Sequence, residues 1–226
     1  MDGKLITFEG GEGAGKGTQI KLLRNRLICE GYNVSDLDLY EPGSTPIGDI
    51  ARIIVKNKVD KDHLAQFQNV HDYISNQDIT PFSQVCGFML SRSEIYDKVI
   101  RPELEVGKIV ILDRSIDSST VYQGHAQNPD LVAFIREMNE RAIGSCHIAK
   151  TFYLDVPVEV GLARMAQRDG LNGDRFQDMN IDFHEGVRQG YLAEASVFPD
   201  RIAVVDGNRT PDEIHEEVYG LVSKLL

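Results

Sequence analysis

The chain has 226 residues, of which 42% are hydrophobic and 26% charged, so it can bury the core of a globular domain. Its formal charge of -11 argues against non-specific binding to nucleic acid or anionic membranes, because both partners reward a basic surface. A phosphorylated small molecule is still compatible with this charge, since a few clustered arginines and lysines can bind one.

Short apolar runs alternate with longer amphipathic stretches along the chain. The apolar runs predict strands, in chain order, at 4–9, 33–39, 108–114, 149–156 and 201–207. The amphipathic stretches predict helices at 18–31, 47–57, 82–101, 131–141, 157–168, 181–197 and 211–225. Residues 58–83 are polar and poorly periodic, and they are interpreted as an insertion or a set of short helices. The alternation predicts one α/β domain, 1–226, whose parallel sheet is covered by helices on both faces.

A glycine-rich loop follows the first predicted strand, in the stretch "FEGGEGAGKGTQ" (8–19). The spacing Gly10-x4-Gly15-Lys16 between a strand and a helix is the pattern of a phosphate loop. Glycines let backbone N–H groups surround a phosphate, and the following helix adds its positive dipole end. The predicted nucleotide-binding residues are Gly10, Gly13, Ala14, Gly15, Lys16, Gly17 and Thr18. Gly17 occupies the usual Ser/Thr position, so Thr18 is the hydroxyl left for Mg²⁺; "GKGT" resembles the loop of adenylate kinases.

A second charged pair ends the plainest buried strand, "VILDR" (110–114). Ligands of parallel sheets bind beyond the carboxyl ends of the strands, which places Asp113 and Arg114 beside the glycine-rich loop. A strand-end carboxylate at this place is typical of the Mg²⁺ side of phosphate-loop enzymes. Asp113 and Thr18 are therefore the predicted metal residues.

Several motifs in the same order resemble the thymidylate kinase family. They are "FEGGEGAGKGT", "EPGSTPIGDIAR", "FMLSR", "LDRSIDSSTVYQG", "GDRF" and "YLAEA", and together they span most of the chain. The resemblance implies a P-loop NTPase fold, a three-layer α/β/α structure with a five-stranded parallel sheet and a short helical lid. It also implies transfer of the γ-phosphate of ATP to dTMP, with Mg²⁺, in a homodimer that serves dTTP biosynthesis.

The resemblance assigns substrate roles to side chains scattered along the chain. The implied dTMP-binding residues are Glu12, Pro42, Phe88, Arg92, Arg114, Ser118, Tyr122 and Gln123. Phe88 and Arg92 lie four residues apart on a predicted helix, so an aromatic ring and a guanidinium face the same way. Glu12 matches the acid that places the acceptor sugar, and Gln123 lies near the pyrimidine edge. Arg92 and Arg114 match the arginines that clamp the dTMP phosphate, whose repulsion with ATP must be neutralised for in-line transfer.

The family has two forms, which carry the catalytic arginine either in the phosphate loop or in the lid. The residue after Glu12 is Gly13, so this loop offers no arginine. The segment that resembles the lid, 164–178, contains Arg164, Arg168 and Arg175. The resemblance therefore implies the lid-arginine form, and Arg168 and Arg175 are the catalytic candidates beside Lys16, Arg114 and Glu12.

Three departures from the family pattern lie on the acceptor side: Tyr40, Ser91 and Ser115. They leave open a kinase of the same fold that acts on dUMP, dCMP or a modified pyrimidine monophosphate. A nucleotide-binding switch is the alternative from another class, since "NKVD" (57–60) fits the guanine-reading pattern Asn-Lys-x-Asp. This tetrapeptide does not follow a buried strand, so it is interpreted as a helix end.

Localisation is predicted from what the chain lacks. No apolar run approaches the length of a membrane span, and residues 1–10 lead directly into a strand without the apolar core of a signal peptide. Cys29, Cys86 and Cys146 are widely spaced and form no CxxC or Cys/His group. These observations predict a cytoplasmic protein with buried, reduced thiols.

Overall fold

The computed structural model describes residues 3–55, 79–169 and 180–226. Its centre is a sheet of five parallel strands in the order β2-β3-β1-β4-β5. The strands are β1 (Lys4–Glu9), β2 (Leu39–Tyr40), β3 (Ile109–Asp113), β4 (Ile148–Asp155) and β5 (Ile202–Asp206). The predicted α/β fold with a five-stranded parallel sheet is confirmed.

The second strand is shorter than its predicted range, 33–39. Val34 makes an isolated bridge to Ile109, and pairing resumes only where Leu39 meets Leu112. Between these two contacts the edge chain advances five residues while its partner advances three. The extra residues must bulge out of the ladder, so only Leu39–Tyr40 form a regular strand.

Helices cover both faces of the sheet. In chain order they are α1 (Lys16–Cys29), α2 (Pro46–Val55), α3 (Pro81–Ile95), α4 (Arg101–Glu105), α5 (Ile116–Ser119), α6 (Val132–Ile143), α7 (Val158–Asp169), α8 (Ile181–Val197) and α9 (Pro211–Val222). One π-helical turn, Tyr96–Ile100, joins α3 to α4, and another, Thr120–His125, continues α5. A 3-10 turn, Pro129–Leu131, leads into α6. No helix in the described ranges is long and apolar enough to cross a membrane.

The side chains of the central strands alternate between two apolar layers. Ile6, Phe8 and Ile111 pack on one face with α1 and α9, whereas Leu5 and Val110 pack on the other face with α3 and α4. A strand buried on both sides is mostly apolar, which is why β3 reads as a hydrophobic run up to Asp113. In β1 the one polar residue inside the strand, Thr7, is buried and shares a 2.8 Å hydrogen bond with the hydroxyl of Thr151. Helices packed on both faces therefore hold β1 and β3 in place, and the ends of these two strands carry the candidate site.

All three cysteines are free, and their predicted burial is wrong for two of them. Cys146 is buried, but Cys29 and Cys86 are exposed. Cys29 is the last residue of α1, whose buried face is formed by Leu23 and Leu27. Cys86 follows buried Val85 on α3 and points away from the core. Helical periodicity turns both thiols outward, which an argument from residue type alone cannot foresee.

Candidate active site

The glycine-rich loop connects β1 to the N-terminus of α1. Gly15 precedes the helix with φ 92°, a left-handed conformation that favours glycine. Lys16, the first helical residue, folds back so that Nζ donates to the carbonyl oxygens of Gly10 and Gly11, each at 3.2 Å. Burial, together with the nearby charge of Arg114, lowers the pKa of Lys16. The loop thus combines a cation with the N-terminus of a fourteen-residue helix, the arrangement that attracts phosphate.

Gly13 lies where the loop touches the first turns of α7. It has φ 66°, and a Cβ built on it would lie 2.0 Å from the carbonyl oxygen of Gly161. The approach is reciprocal, because a Cβ on Gly161 would lie 2.4 Å from the carbonyl oxygen of Glu12. A side chain at position 13 would push these two backbones apart, which gives a physical reason for the absence of a loop arginine.

Asp113 ends β3 beside the loop. Its partner on the adjacent strand β1 is Phe8, two residues before the glycine-rich loop begins at Gly10. Asp113 therefore lies at the same edge of the sheet as this loop. Oδ1 of Asp113 is buried, and no group in the described part of the chain hydrogen-bonds to it. An orphaned carboxylate oxygen fits a hard cation such as Mg²⁺, which takes one or two protein oxygens and completes its shell with water and phosphate. Thr18 is exposed in the first turn of α1.

Arg114 holds a left-handed backbone conformation, φ 66°, which is uncommon for a residue other than glycine. Its N–H donates to the carbonyl of Phe8 at 3.0 Å, and its guanidinium donates to Oε1 of Glu12 at 3.0 Å. The same guanidinium reaches the hydroxyls of Ser118 and Tyr191, both at 3.3 Å. Burial opposes the charge, but Tyr122, Glu12 and Tyr191 keep the pKa of Arg114 well above its usual value. A permanent cation is thus held at the junction of β1 and β3.

Glu9 binds several of the groups around Arg114, and it was not identified from the sequence. Its carboxylate accepts from the N–H of Ser115 at 2.7 Å, from the Ser118 hydroxyl at 2.6 Å and from the Tyr191 hydroxyl at 2.8 Å. Burial, and secondly the charge of Asp117, raise the pKa of Glu9 to about 7. Its position as the charged last residue of a mostly buried strand, directly before the glycine-rich loop, was the available signal. Tyr191 comes from α8 and begins the motif "YLAEA", but no role was predicted for it.

A cavity of about 520 Å³ opens beside Arg114 and the glycine-rich loop. Eleven predicted residues line it: Glu12, Lys16, Gly17, Pro42, Phe88, Arg92, Asp113, Arg114, Ser118, Tyr122 and Gln123. They come from separate parts of the chain, and the fold brings them together around this cavity. Gly10, Gly13, Ala14, Gly15 and Thr18 are not part of this wall and belong to the loop and the start of α1. A volume of this size suits a small-molecule ligand.

Arg92 is buried in the cavity wall and is fully engaged by protein groups. Nε and Nη2 contact Oε2 of Glu41, at 2.8 and 2.7 Å. Nη1 donates to the Ser119 hydroxyl and to Oδ1 of Asn139, and Nη2 donates to the carbonyl of Ser115 at 2.9 Å. All five N–H groups of the guanidinium therefore have partners, so Arg92 braces three elements of the wall in addition to lining it.

The three departures from the family pattern have defined contacts. The Ser91 hydroxyl accepts from the N–H of Gly43 at 3.0 Å, which ties α3 to the loop after β2. The Ser115 hydroxyl lies 2.6 Å from the hydroxyl of buried Tyr96. Tyr40 is half exposed, and the guanidinium of Arg52 lies 5.0 Å from the centre of its ring. Ser91 and Ser115 thus support the wall through neutral hydrogen bonds, and Tyr40 does so through its ring, which faces the cation of Arg52.

The lid arginines fall partly outside the described residues. Arg175 and the segment 170–179 lie there, as does the side chain of Arg168, although its backbone belongs to α7. Arg164 donates to the carbonyl of Gly207 at 3.0 Å, so it braces the loop after β5. "NKVD" (57–60) also lies outside the described residues.

Four features define the class of the protein: the sheet order, the glycine-rich loop after β1, the lysine at the start of α1 and the acid that ends β3. It is a phosphate-loop α/β enzyme that binds nucleotides. A protein-family model described as thymidylate kinase matches residues 8–218 of the chain. The chain belongs to the thymidylate kinase family, and its expected membership is confirmed.

Named relatives agree over nearly the whole length. The thymidylate kinase of Thermoanaerobacter sp. (strain X514) is 35% identical over 226 residues, which cover all of both chains. The thymidylate kinase of Geobacter sp. (strain M21) is 39% identical over 210 residues, 91% of this chain and 85% of the relative. That of Nitratidesulfovibrio vulgaris (strain Miyazaki F) is 35% identical over 227 residues, with 98% and 97% coverage. Similarity therefore extends across the loop, the cavity wall and both ends of the described fold.

Proposed function

We propose that this protein transfers the γ-phosphate of ATP to dTMP, giving dTDP and ADP. One observation carries the proposal: Arg114 stands between the glycine-rich loop and the 520 Å³ cavity, held by Glu12 on one side and by Ser118 and Tyr191 on the other. A cation at this junction can neutralise two phosphates that must approach each other. In-line phosphoryl transfer depends on positioning and on such charge neutralisation more than on a general base.

The donor half of the reaction belongs to the loop and β3. Lys16 exchanges its contacts with the carbonyls of Gly10 and Gly11 for the phosphates of ATP, while the N-terminus of α1 adds its dipole. Mg²⁺, when bound, neutralises charge on the phosphate oxygens. Asp113, with its orphaned Oδ1, and the hydroxyl of Thr18 are the groups proposed to hold it.

The acceptor half belongs to the cavity. Glu12 accepts from Arg114 at 3.0 Å and receives a longer hydrogen bond, 3.4 Å, from the hydroxyl of Tyr122. We propose that Glu12 binds the sugar hydroxyl of dTMP while Arg114 binds its phosphate. Phe88, half-buried on α3, supplies an aromatic face for the base, and Pro42 lines the same cavity.

The catalytic arginine is proposed to come from the lid. Gly13 leaves no room for a loop arginine, because its Cβ position is taken by the carbonyl of Gly161. Arg168 and Arg175 are the remaining candidates, since Arg164 is bonded to Gly207. Arg175→Ala should lower kcat at least tenfold and leave the KM for dTMP within about twofold. Arg164→Ala is the matched control, and a loss of dTMP affinity in the Arg175 variant would assign that residue to the acceptor site.

The test of the function is a coupled ADP-release assay across nucleoside monophosphates. With ATP and Mg²⁺, dTMP should give the highest kcat/KM, ahead of dUMP and dCMP. A higher value for dUMP, dCMP or another monophosphate would keep the phosphoryl transfer and change the substrate. ATP or GTP hydrolysis that no monophosphate accelerates would overturn the kinase assignment.

We also propose that the protein works as a cytoplasmic homodimer. The free thiols, two of them exposed, suit a reducing compartment. Ile47, Ile50 and Ile53 recur every three residues on α2 and are 40%, 57% and 47% exposed, and Leu90 on the adjoining α3 is 47% exposed. A shared apolar face of this kind suits an isologous contact. Ile50→Glu should shift the species in light scattering from dimer to monomer, whereas Val197→Glu, an exposed site on α8, should not.

A further inference from the structure

Gln123 has an amide whose two ends are treated differently by the protein. The residue is fully buried in the π-helical turn after α5 and forms part of the cavity wall. Its Nε2 donates to Oε1 of Gln84 at 3.0 Å. Its Oε1 is buried and accepts no hydrogen bond from any group of the described residues. A buried amide oxygen without a hydrogen-bond donor costs free energy, so a ligand that supplies an N–H to this oxygen gains affinity.

The orientation of the Gln123 amide is set by a chain of contacts that ends on the backbone. Nε2 of Gln84 donates to the carbonyl oxygen of Ile79 at 2.7 Å. A main-chain carbonyl can only accept, so Gln84 must turn its NH₂ group to Ile79 and its Oε1 to Gln123. Gln123 must then present Nε2 to Gln84. The branch of its amide that is left for the cavity is the acceptor, Oε1.

We infer that Gln84 is a positioning residue that determines specificity. Its own amide is oriented by the carbonyl of Ile79, and it in turn holds the Gln123 amide with the oxygen of Gln123 directed toward the base. This inference rests on the proposed transfer of phosphate to a pyrimidine monophosphate. The site then prefers a pyrimidine with an N–H at the ring edge, as N3 of thymine and uracil provides. Cytosine has an unprotonated N3, an acceptor that would face the acceptor Oε1 without a hydrogen between them.

Gln84 reaches the base only through Gln123, so its role differs from that of a substrate contact. It is fully buried and is not part of the cavity wall. Without it, the Gln123 amide is free to turn and can present Nε2 to the ring nitrogen of cytosine. Loss of Gln84 should therefore erode discrimination between the bases, whereas loss of packing alone should weaken both substrates equally.

The discriminating measurement is the ratio of kcat/KM for dTMP to kcat/KM for dCMP, which does not depend on the fraction of folded enzyme. Gln84→Met keeps the length of the side chain and removes its amide, and the ratio should fall roughly tenfold, the value of one lost hydrogen bond. The matched control is Gln127→Met. Gln127 makes two hydrogen bonds of 3.3 Å with Gln84. It takes no part in the hydrogen bond between the amides of Gln84 and Gln123. Its ratio should stay within twofold of wild type.

A second arm needs no variant and covers the case in which Gln84→Met does not fold. The wild-type enzyme should phosphorylate 3-methyl-dTMP at least tenfold less efficiently than dTMP, because the methyl group replaces the N–H that Oε1 accepts. Equal use of the two nucleotides overturns the inference. An unchanged ratio in Gln84→Met, or an equal fall in Gln127→Met, overturns it as well. Failure of the proposed function looks different, since wild-type protein would then phosphorylate neither dTMP nor dCMP.

Discussion

The donor and acceptor halves of the site are built in different ways. The donor half is local: one stretch of nine residues, Gly10–Thr18, which is the loop and the first turn of α1, shapes it through backbone conformation and the close approach of Gly161. The acceptor half is a network of buried side chains, in which Arg92 alone is bonded by four residues from three segments. A backbone cradle tolerates side-chain changes that leave its glycines alone, whereas a buried network fails when one member is removed.

Removal of Glu41 should be the most damaging change to the acceptor half. Glu41→Ala leaves the Arg92 guanidinium buried at 1% exposure without its counter-ion. An uncompensated buried charge costs about 3–5 kcal/mol of unfolding free energy. Urea denaturation followed by circular dichroism measures this loss.

The control for Glu41 is an ion pair on the surface. Glu137 and Arg141 pair at 2.9 Å on α6 with side chains that are 62% and 71% exposed. Glu137→Ala should leave the unfolding midpoint almost unchanged, because solvent and salt screen such pairs. A Glu41 variant as stable as the Glu137 variant would show that the Arg92 network does not brace the wall.

Removal of Lys16 should break the donor half chemically rather than structurally. Lys16→Ala takes away the one lysine of the loop and should lower kcat by about 10²–10³-fold, the usual cost of losing a preorganised charge donor. The fold should survive, because within the described ranges the hydrogen bonds of this lysine go to two loop carbonyls and to no other element. Turnover by coupled ADP release, read beside the circular dichroism spectrum, separates the two effects. Near-normal turnover in this variant would move the ATP phosphates away from the loop.

Two glycines of the same loop should respond in opposite ways to alanine. Gly13→Ala forces a Cβ to within 2.0 Å of the Gly161 carbonyl at φ 66°, and should cost roughly 2–4 kcal/mol of stability. Gly17 lies in α1 with nothing within 4 Å of its Cβ position, so Gly17→Ala should be neutral or slightly stabilising. Thermal unfolding of the pair measures both. Equal tolerance at the two positions would show that the loop and α7 separate easily.

The contrast between the halves also explains what the sequence could predict. The loop and the strand-end acid form short contiguous patterns, so Lys16 and Asp113 were predicted from spacing alone. The cavity wall was predicted through resemblance, because no local pattern joins Phe88 to Gln123. Glu9, Tyr191 and Gln84 were missed. Their roles depend on contacts between residues far apart in the chain, which only the packed fold defines.

Glu9, at the boundary of the two halves, should give the smallest effect and one that depends on pH. Its pKa is raised from 4.5 to about 7 by burial and by Asp117. Between these values the folded protein holds a proton that the unfolded chain has lost, so stability falls as pH rises. The contribution of Glu9 to the free energy of unfolding falls by about 2 kcal/mol between pH 5 and pH 7.

The comparison that isolates this term is wild type against Glu9→Gln, whose amide keeps an acceptor for the hydroxyls of Ser118 and Tyr191 and does not titrate. Urea unfolding at pH 5, 6, 7 and 8 gives the difference in unfolding free energy between the two proteins. Wild type should lose stability relative to Glu9→Gln up to pH 7 and then level off, because above both pKa values the carboxylate is ionised in either state. A difference that stays constant, or that moves in favour of wild type as pH rises, would mean that Glu9 is already ionised at pH 5. The hydroxyls and the charge of Arg114 would then outweigh the cost of its burial.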